Sequence, residues 1–183
     1  IDRVQEAYIS DGKLYLHFQG FPDDSGARVD GVGINNPPSI FAFKSTTTIV
    51  SPDFEEPSAF PFLEFAGAFY PDGYGDVRAT LRIGSNITER WAYWGLWSYG
   101  RKMLLNHGTL ANNLHEGVPY TIEIIFDEFT KQFTFRIDQH SAVSSAIDYA
   151  GPPISPLMRM EVGPVGDPYG GPVDILASFD NVY

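Results

Sequence analysis

The residues best suited to chemistry are the aromatic side chains between positions 91 and 99, which read Trp-Ala-Tyr-Trp-Gly-Leu-Trp-Ser-Tyr. At the two-residue period of a β-strand, one face of this run carries four aromatic rings around a glycine. These are Trp91, Tyr93, Gly95, Trp97 and Tyr99. Such a row can stack on the apolar faces of sugar rings, and Gly95 leaves room for a ring between its neighbours. The alternatives are that this face lies in the protein core, where aromatic side chains are also common, or that it forms a contact with another protein.

Two arginines in the preceding segment add polar chemistry. Arg78 and Arg82 alternate with the apolar residues of segment 77–83, so they share the polar face of a predicted strand. We expect Arg82 to lie near the aromatic row, where a guanidinium could bind an acidic sugar through two parallel hydrogen bonds. The alternative is that both arginines pair with some of the chain's surplus carboxylates on a solvated face.

Several aspartates in turn-like segments are candidate metal ligands. Their hard carboxylate oxygens suit Ca²⁺, which is the cofactor we expect if a metal is bound. The alternative is that these residues form turns by hydrogen bonding to their own backbone, and no EF-hand spacing is present. The absence of cysteine excludes thiolate metal sites. The candidate ligands are Asp180, Asp72 and Asp76, with Asp23 and Asp24 in a further loop.

Composition predicts a chain of many short strands. The 183 residues, which we interpret as one domain spanning 1–183, include 14 Phe, 10 Tyr, 3 Trp, 18 Gly and 14 Pro. A net charge of −11 repels phosphate backbones, so nucleic acid is not an expected partner. No apolar run approaches the roughly 18–20 residues of a membrane span. The first residue is Ile1 rather than Met, so we expect either a processed mature protein or an excised domain. A removed signal peptide fits a secreted protein of the cell exterior or cell surface.

Two segments predict β-hairpins. In residues 7–18, Asp11-Gly12 separates two alternating runs, and this dipeptide favours a type I′ turn with positive φ at both positions. In residues 120–138, two alternating runs flank a four-residue loop at 128–131. This register places Phe126 opposite Phe133 on the apolar side and Glu123 opposite Arg136 on the polar side, as an opposite-charge pair.

The remaining pattern predicts an all-β protein. We expect two antiparallel sheets packed face to face as a β-sandwich, with jelly-roll or similar connections. The only plausible helical segment is 101–117, and it is limited to a turn or two. Residues 141–149 fit either a strand or a loop. Further strands are predicted at 40–50, 64–69, 77–83, 88–99, 158–162 and 173–183, with loops at 20–39 and 163–172.

The last seven residues, Ala-Ser-Phe-Asp-Asn-Val-Tyr at 177–183, resemble the closing strand of concanavalin A-like lectin/glucanase sandwiches, the group that includes laminin-G-type domains. The 120–138 hairpin and segments 67–70 and 75–84 are similar to that group as well. The resemblance implies a concanavalin A-like jelly roll, and it places Asp180 where acids of the superfamily bind metals or loops. The Glu-x-Asp-x-x-Glu signature of the glucanases is absent, as are the strand motifs of related alginate lyases. The resemblance therefore implies a non-catalytic member.

Together these patterns predict a secreted, non-catalytic carbohydrate-binding protein whose partner is a polysaccharide or other glycan. The predicted binding residues are Trp91, Tyr93, Trp97, Tyr99 and Arg82. The alternative is a structural subunit of an extracellular fibre, pilus or surface layer that assembles through its sheet edges. In that case residues 1–7 could add as a strand to a neighbour's sheet. A glycan-active enzyme with an unfamiliar pair of acids is a third interpretation, for which the sequence indicates no residues.

Overall fold

A computed structural model describes residues 4–21, 26–31, 33–54, 59–69, 77–85, 89–98, 102–148, 155–166 and 171–182, with the backbone alone for residues 4, 51–54, 59–60 and 165–166. These residues form thirteen strands and no helix. In chain order the strands are β1 Val4–Ser10, β2 Lys13–Gly20, β3 Ala27–Asp30, β4 Ile40–Phe54, β5 Ala59–Phe69, β6 Val77–Ser85, β7 Arg90–Ser98, β8 Met103–Asn112, β9 Tyr120–Asp127, β10 Gln132–Ile137, β11 His140–Val143, β12 Leu157–Gly166 and β13 Val173–Asp180.

The strands form two antiparallel sheets that pack face to face. Sheet A has seven strands in the order β1-β2-β13-β4-β9-β10-β11, and sheet B has six in the order β3-β12-β5-β6-β7-β8. This arrangement confirms the predicted all-β sandwich. No helix long and apolar enough to cross a membrane occurs in the described part of the chain.

Both predicted hairpins are confirmed. Asp11 and Gly12 join β1 to β2 with φ of 50° and 76°, the positive values that a type I′ turn requires. In the β9–β10 hairpin, Phe126 pairs with Phe133, and Glu123 pairs with Arg136. The Arg136 Nη1 atom donates to Glu123 Oε2 across 3.0 Å.

The core between the sheets is built around Phe69 of β5. The centroid of its ring lies 5.8 Å from that of Phe43 and 4.7 Å from that of Phe133. Gly67, two residues before Phe69, makes room for this packing because a Cβ there would lie 2.7 Å from the Phe43 ring. Each phenylalanine buried in this way contributes about 1.5–3 kcal/mol to stability. The core fixes β5, and because β5 pairs with β6 and β6 pairs with β7, it also fixes the outer face of sheet B.

The predicted helical segment at 101–117 is wrong, because Met103–Asn112 forms β8 at the edge of sheet B. Its run of Met, Leu and Leu is compatible with a helix, but the backbone hydrogen bonds to β7 decide the conformation. The predicted loop at 20–39 likewise contains β3, whose four residues pair with β12. Segment 141–149 was compatible with either a strand or a loop, and its first residues belong to strand β11.

Two strands are longer than predicted, and each contains a proline in the part that the prediction left out. Strand β5 begins at Ala59 rather than at residue 64, and β12 runs to Gly166, into the predicted loop at 163–172. Pro61 of β5 pairs with Pro164 of β12. Each proline lies beyond the last residue that its strand pairs with on its other side, so both occupy locally edge-like positions where a missing N–H is tolerated.

Candidate functional site

One face of strand β7 packs in the core, and the other face points away from it. Ala92, Trp94 and Leu96 are buried in the core, and the Trp94 ring stacks on Phe135 with centroids 4.9 Å apart. The alternate face therefore points outward from sheet B, and the interpretation of that face as core is wrong. Trp97 on this outer face is 37% exposed.

A cavity of about 400 Å³ lies on the outer face of sheet B, and we call it the cup. It brings together three of the five residues predicted to bind a ligand. The residues that line it are Glu64 of β5, Arg78, Thr80 and Arg82 of β6, Tyr93, Gly95 and Trp97 of β7, and Leu104 of β8.

The shape of the cup follows from the register of β6 and β7. Tyr93 and Trp97 are four residues apart, about 13 Å along an extended strand. Gly95 lies between them, and a Cβ there would be 3.5 Å from Thr80 Oγ1, which is ordinary contact rather than overlap. The absence of a side chain therefore leaves room for about one methyl group on the floor of the cup, between Thr80, Leu104 and Tyr93. The cross-strand pairs that form walls and floor are Arg78 with Trp97, Thr80 with Gly95, and Arg82 with Tyr93.

A buried carboxylate organises the two arginines. Glu64 is only 1% exposed, and its Oε1 accepts a hydrogen bond from Arg78 Nη2 while its Oε2 accepts one from Arg82 Nη2 across 2.6 Å. Arg78 Nη2 also lies 3.4 Å from Glu161 Oε2 on β12. The Arg82 guanidinium is stacked 4.2 Å above the centroid of the Phe62 ring. The predicted pairing of both arginines with carboxylates is confirmed, although the main carboxylate is buried rather than solvated.

Tyr93 gives the cup a protonated phenol. Burial raises the pKa of Tyr93 above its ordinary value of 10.0, and the nearby Arg82 guanidinium opposes part of that rise. The Tyr93 ring lies 5.6 Å from the His107 ring of β8, with the two planes 30° apart. At neutral pH the hydroxyl is therefore both a donor and an acceptor at the wall of the cup.

The other predicted site residues lie elsewhere. Trp91 shares the outer face of β7 but does not line the cup, because its ring lies over Gly84, where a Cβ would be 3.1 Å from the indole. Asp180 Oδ1 accepts a hydrogen bond from the Asn181 N–H across 2.8 Å, the local contact of a turn former. No group of three or more metal-ligating side chains occurs among the residues that the structure describes, and calcium stays a prediction. Outside the described residues lie Tyr99, Asp72, Asp76, Asp23 and Asp24.

Sequence reasoning missed Glu64, Thr80 and Leu104. Glu64 had a signal, since it is the only charged residue in the otherwise apolar run of β5. A lone carboxylate in such a run indicates a buried ion pair. Leu104 was hidden by the helical interpretation of its segment.

A larger cavity, of about 540 Å³, lies where β1 of sheet A approaches β3 of sheet B. Its charged lining comes from Glu6, Arg28 and Glu161, and Phe62 is the only aromatic residue among the described ones that line it. The cup is smaller, but it combines an exposed indole, a phenol and a fixed polar cluster. We therefore take the cup as the candidate functional site.

No known protein family and no curated protein matches the sequence. Solved structures do match it, and they are consistent with a concanavalin A-like sandwich. The CBM2 module of the evolved Dit of Lactobacillus casei BL23 phage J-1 is 12% identical, with a TM-score of 0.59 over 98% of this chain and 80% of that chain. An alginate lyase of Pseudomonas aeruginosa is 10% identical, with a TM-score of 0.58 over 96% of this chain and 86% of that chain. The carbohydrate recognition domain of Emp47p is 10% identical, with a TM-score of 0.54 over 98% of this chain and 87% of that chain. At these identities the similarity establishes the fold.

Proposed function

We propose that this protein is an extracellular, non-catalytic carbohydrate-binding module and that a glycan binds in the cup. The observation that carries the proposal is the exposed Trp97 ring on the outer face of sheet B, beside a cavity whose other wall holds Arg82 and Tyr93. A sugar ring has apolar faces and a hydroxyl edge. The cup offers an aromatic surface for the face and a polar cluster for the edge.

The contacts of the cup indicate how a sugar would bind. One ring stacks on Trp97 and occupies the space above Gly95. Thr80 Oγ1 donates to the Gly95 carbonyl across 3.3 Å, which leaves the lone pairs of the Thr80 hydroxyl to accept from a sugar hydroxyl. Arg82 donates to sugar oxygens, and the Tyr93 phenol donates or accepts.

The state of Glu64 supports a non-catalytic role. Glycoside hydrolysis by the common route needs two carboxyl groups that flank the scissile bond, one of which transfers a proton. Glu64 is the one carboxylate among the described residues that line the cup, and each of its oxygens accepts a hydrogen bond from an arginine. We therefore expect no cleavage of a bound glycan.

The test is a titration of tryptophan fluorescence against a panel of soluble polysaccharides. We expect the emission to shift with at least one glycan, because Trp97 is partly exposed and changes its surroundings on binding. The variant Trp97→Ala should lose affinity about tenfold, which corresponds to about 1.4 kcal/mol. Phe129→Ala is the matched control, because Phe129 is 79% exposed in the β9–β10 turn of sheet A. Wild-type affinity in Trp97→Ala, or no response to any glycan, would contradict the proposal.

The non-catalytic part has its own test. The glycan that binds is incubated with the wild-type protein, and the products are assayed for new reducing ends and for unsaturated sugars. We expect neither. Cleavage that disappears in the variant Glu64→Gln would favour an enzyme instead.

A structural subunit is the second candidate function. The observation that favours it is the position of β1 at one edge of sheet A, where the Ile9 side chain is 78% exposed. The structure pairs residues 4–7 with β2. A neighbouring molecule would therefore add along the outer edge of an existing hairpin, instead of receiving residues 1–7 as a donated strand.

A further inference from the structure

We infer that the glycan taken by the cup is acidic, and that Arg82 and Arg78 bind a uronate carboxylate of its chain. This inference rests on the proposed function, because it names the ligand class of the same site. Three observations carry it: the charge of the outer face of sheet B, the ratio of guanidinium to carboxylate groups in the cup, and the fixed orientation of Arg82.

The outer face of sheet B differs in charge from the rest of the chain. The charged strand residues that the structure describes on this face sum to a net charge of +1, in a chain whose total is −11, and they include four of the eight arginines. A positively charged region on the surface of an acidic protein attracts anionic ligands and favours them over neutral ones. The charged residues of this face are Arg28, Arg78, Arg82 and Arg159 against Asp30, Glu64 and Glu161.

The described residues that line the cup include more guanidinium groups than carboxylate groups. One carboxylate, Glu64, faces two guanidinium groups, and it accepts one hydrogen bond from each. Each guanidinium has five N–H donors, and Arg82, with 35% of its side chain exposed, lines the cavity. Glu161 of β12 also pairs with Arg78, so the two guanidinium charges already have two carboxylates near them. A ligand carboxylate would instead accept charge-assisted hydrogen bonds from N–H groups of the arginines that line the cavity, and these bonds are stronger than those to an uncharged hydroxyl group.

The orientation of Arg82 is set before any ligand arrives. Phe62 lies 4.2 Å below its guanidinium, and Glu64 holds its Nη2 atom. A stacked and paired arginine loses little further freedom when it binds a planar carboxylate with two parallel hydrogen bonds. Arg78 is the direct cross-strand partner of Trp97. A sugar ring on Trp97 therefore has its carboxylate within reach of the arginine wall.

The experiment compares acidic glycans with their own neutral forms. Oligosaccharides of alginate and of polygalacturonate are titrated calorimetrically, each beside a sample whose carboxyl groups have been reduced to primary alcohols. Laminari-oligosaccharides provide a chain that is neutral by nature. We expect at least one uronate chain to bind tenfold or more tightly than its reduced form, and we expect this preference to shrink in high salt.

Variants then assign the preference to the cup. Arg82→Gln should weaken binding of both chains, and it should weaken binding of the uronate chain at least fivefold more than binding of the reduced chain. Arg136→Gln is the matched control, because it removes an arginine from sheet A, where Arg136 pairs with Glu123. Arg82→Lys keeps the charge without the planar fork and should restore only part of the preference.

The outcomes separate this inference from the proposed function. Equal or tighter binding of neutral chains, lost in Trp97→Ala, would overturn the acidic ligand and keep the glycan-binding site. A preference for sulfate esters over carboxylates would also overturn it. If no glycan binds, the proposed function fails and the inference fails with it. The comparison of natural and reduced chains uses only the wild-type protein, so it decides the matter even if Arg82→Gln does not fold.

Discussion

Gly95 is the residue that decides whether a ring fits between Tyr93 and Trp97. A methyl group there meets Thr80 Oγ1 at 3.5 Å and Leu104 Cδ1 at 3.6 Å, so the folded state accepts alanine. Alanine in a strand is more stable than glycine by about 0.5–1 kcal/mol. We predict that Gly95→Ala keeps or raises the unfolding temperature and weakens glycan binding severalfold, because the methyl group projects into the cup.

The larger variant Gly95→Leu should abolish binding by filling the same space. Calorimetric titration and thermal unfolding measure both effects on the same samples. If Gly95→Leu bound the glycan with wild-type affinity, the ligand would not enter the space between Tyr93 and Trp97.

Glu64 is the residue on which the polar cluster depends. Removing its charge leaves Arg78 and Arg82 close together without the carboxylate that holds them. We predict that Glu64→Gln lowers the free energy of unfolding by about 2–4 kcal/mol in a denaturant titration. Glu123→Gln is the comparison, because its pair with the largely exposed Arg136 lies at the surface and is worth about 0–1 kcal/mol. Equal losses in the two variants would mean that Glu64 is not the centre of the cluster.

At the scale of the element, strand β3 is held at the edge of sheet B by an acidic contact. The hydrogen bond from Arg159 holds the pKa of Asp30 below its ordinary value of 3.8. Because the folded pKa is the lower one, the contact stabilises the folded state above the ordinary pKa and is lost as pH falls below it. We predict that the amide protons of β3 lose protection as the pH is lowered from 5 to 3, and that Asp30→Asn flattens this dependence.

Hydrogen exchange read by mass spectrometry checks this, with a peptide of the β9–β10 hairpin as the internal control. The size of the effect is small, because Asp30 is partly exposed and solvent screens the pair. If Asp30→Asn left the pH dependence of β3 unchanged, the Arg159 contact would not hold the strand.

The strands also show what the sequence could and could not predict. The β9–β10 hairpin was predictable because both strands alternate strictly and a charge pair fixes the same register. Strand β8 was not, because it lies at an edge where inward and outward residues are unevenly buried, and two register shifts against β7 interrupt its two-residue period. The residues of the cup differ in the same way in how far the sequence predicts them. Tyr93, Trp97 and Arg82 were found from alternation within two strands, whereas Glu64 joins them only through the pairing of β5 with β6.

At the scale of the whole molecule, the four sheet edges differ in their capacity for assembly. Two of them, β3 and β11, are only four residues long, and β8 is interrupted by register shifts. Short and bulged edges resist pairing with a second molecule. Strand β1 has seven residues and exposes Ile9, so any assembly through sheet edges would use β1.

We predict that the wild-type chain is a monomer at the concentrations used for the glycan titrations, measured by size-exclusion chromatography with light scattering. If larger species form, Ile9→Lys should dissociate them, because a charge on β1 opposes strand addition there. Val143→Lys, on the short edge strand β11, should leave them intact. Because β1 belongs to sheet A and the cup to sheet B, Ile9→Lys should also bind glycan as the wild type does. Large species that persist in Ile9→Lys would exclude assembly through β1, and large species with no glycan response would favour the structural subunit.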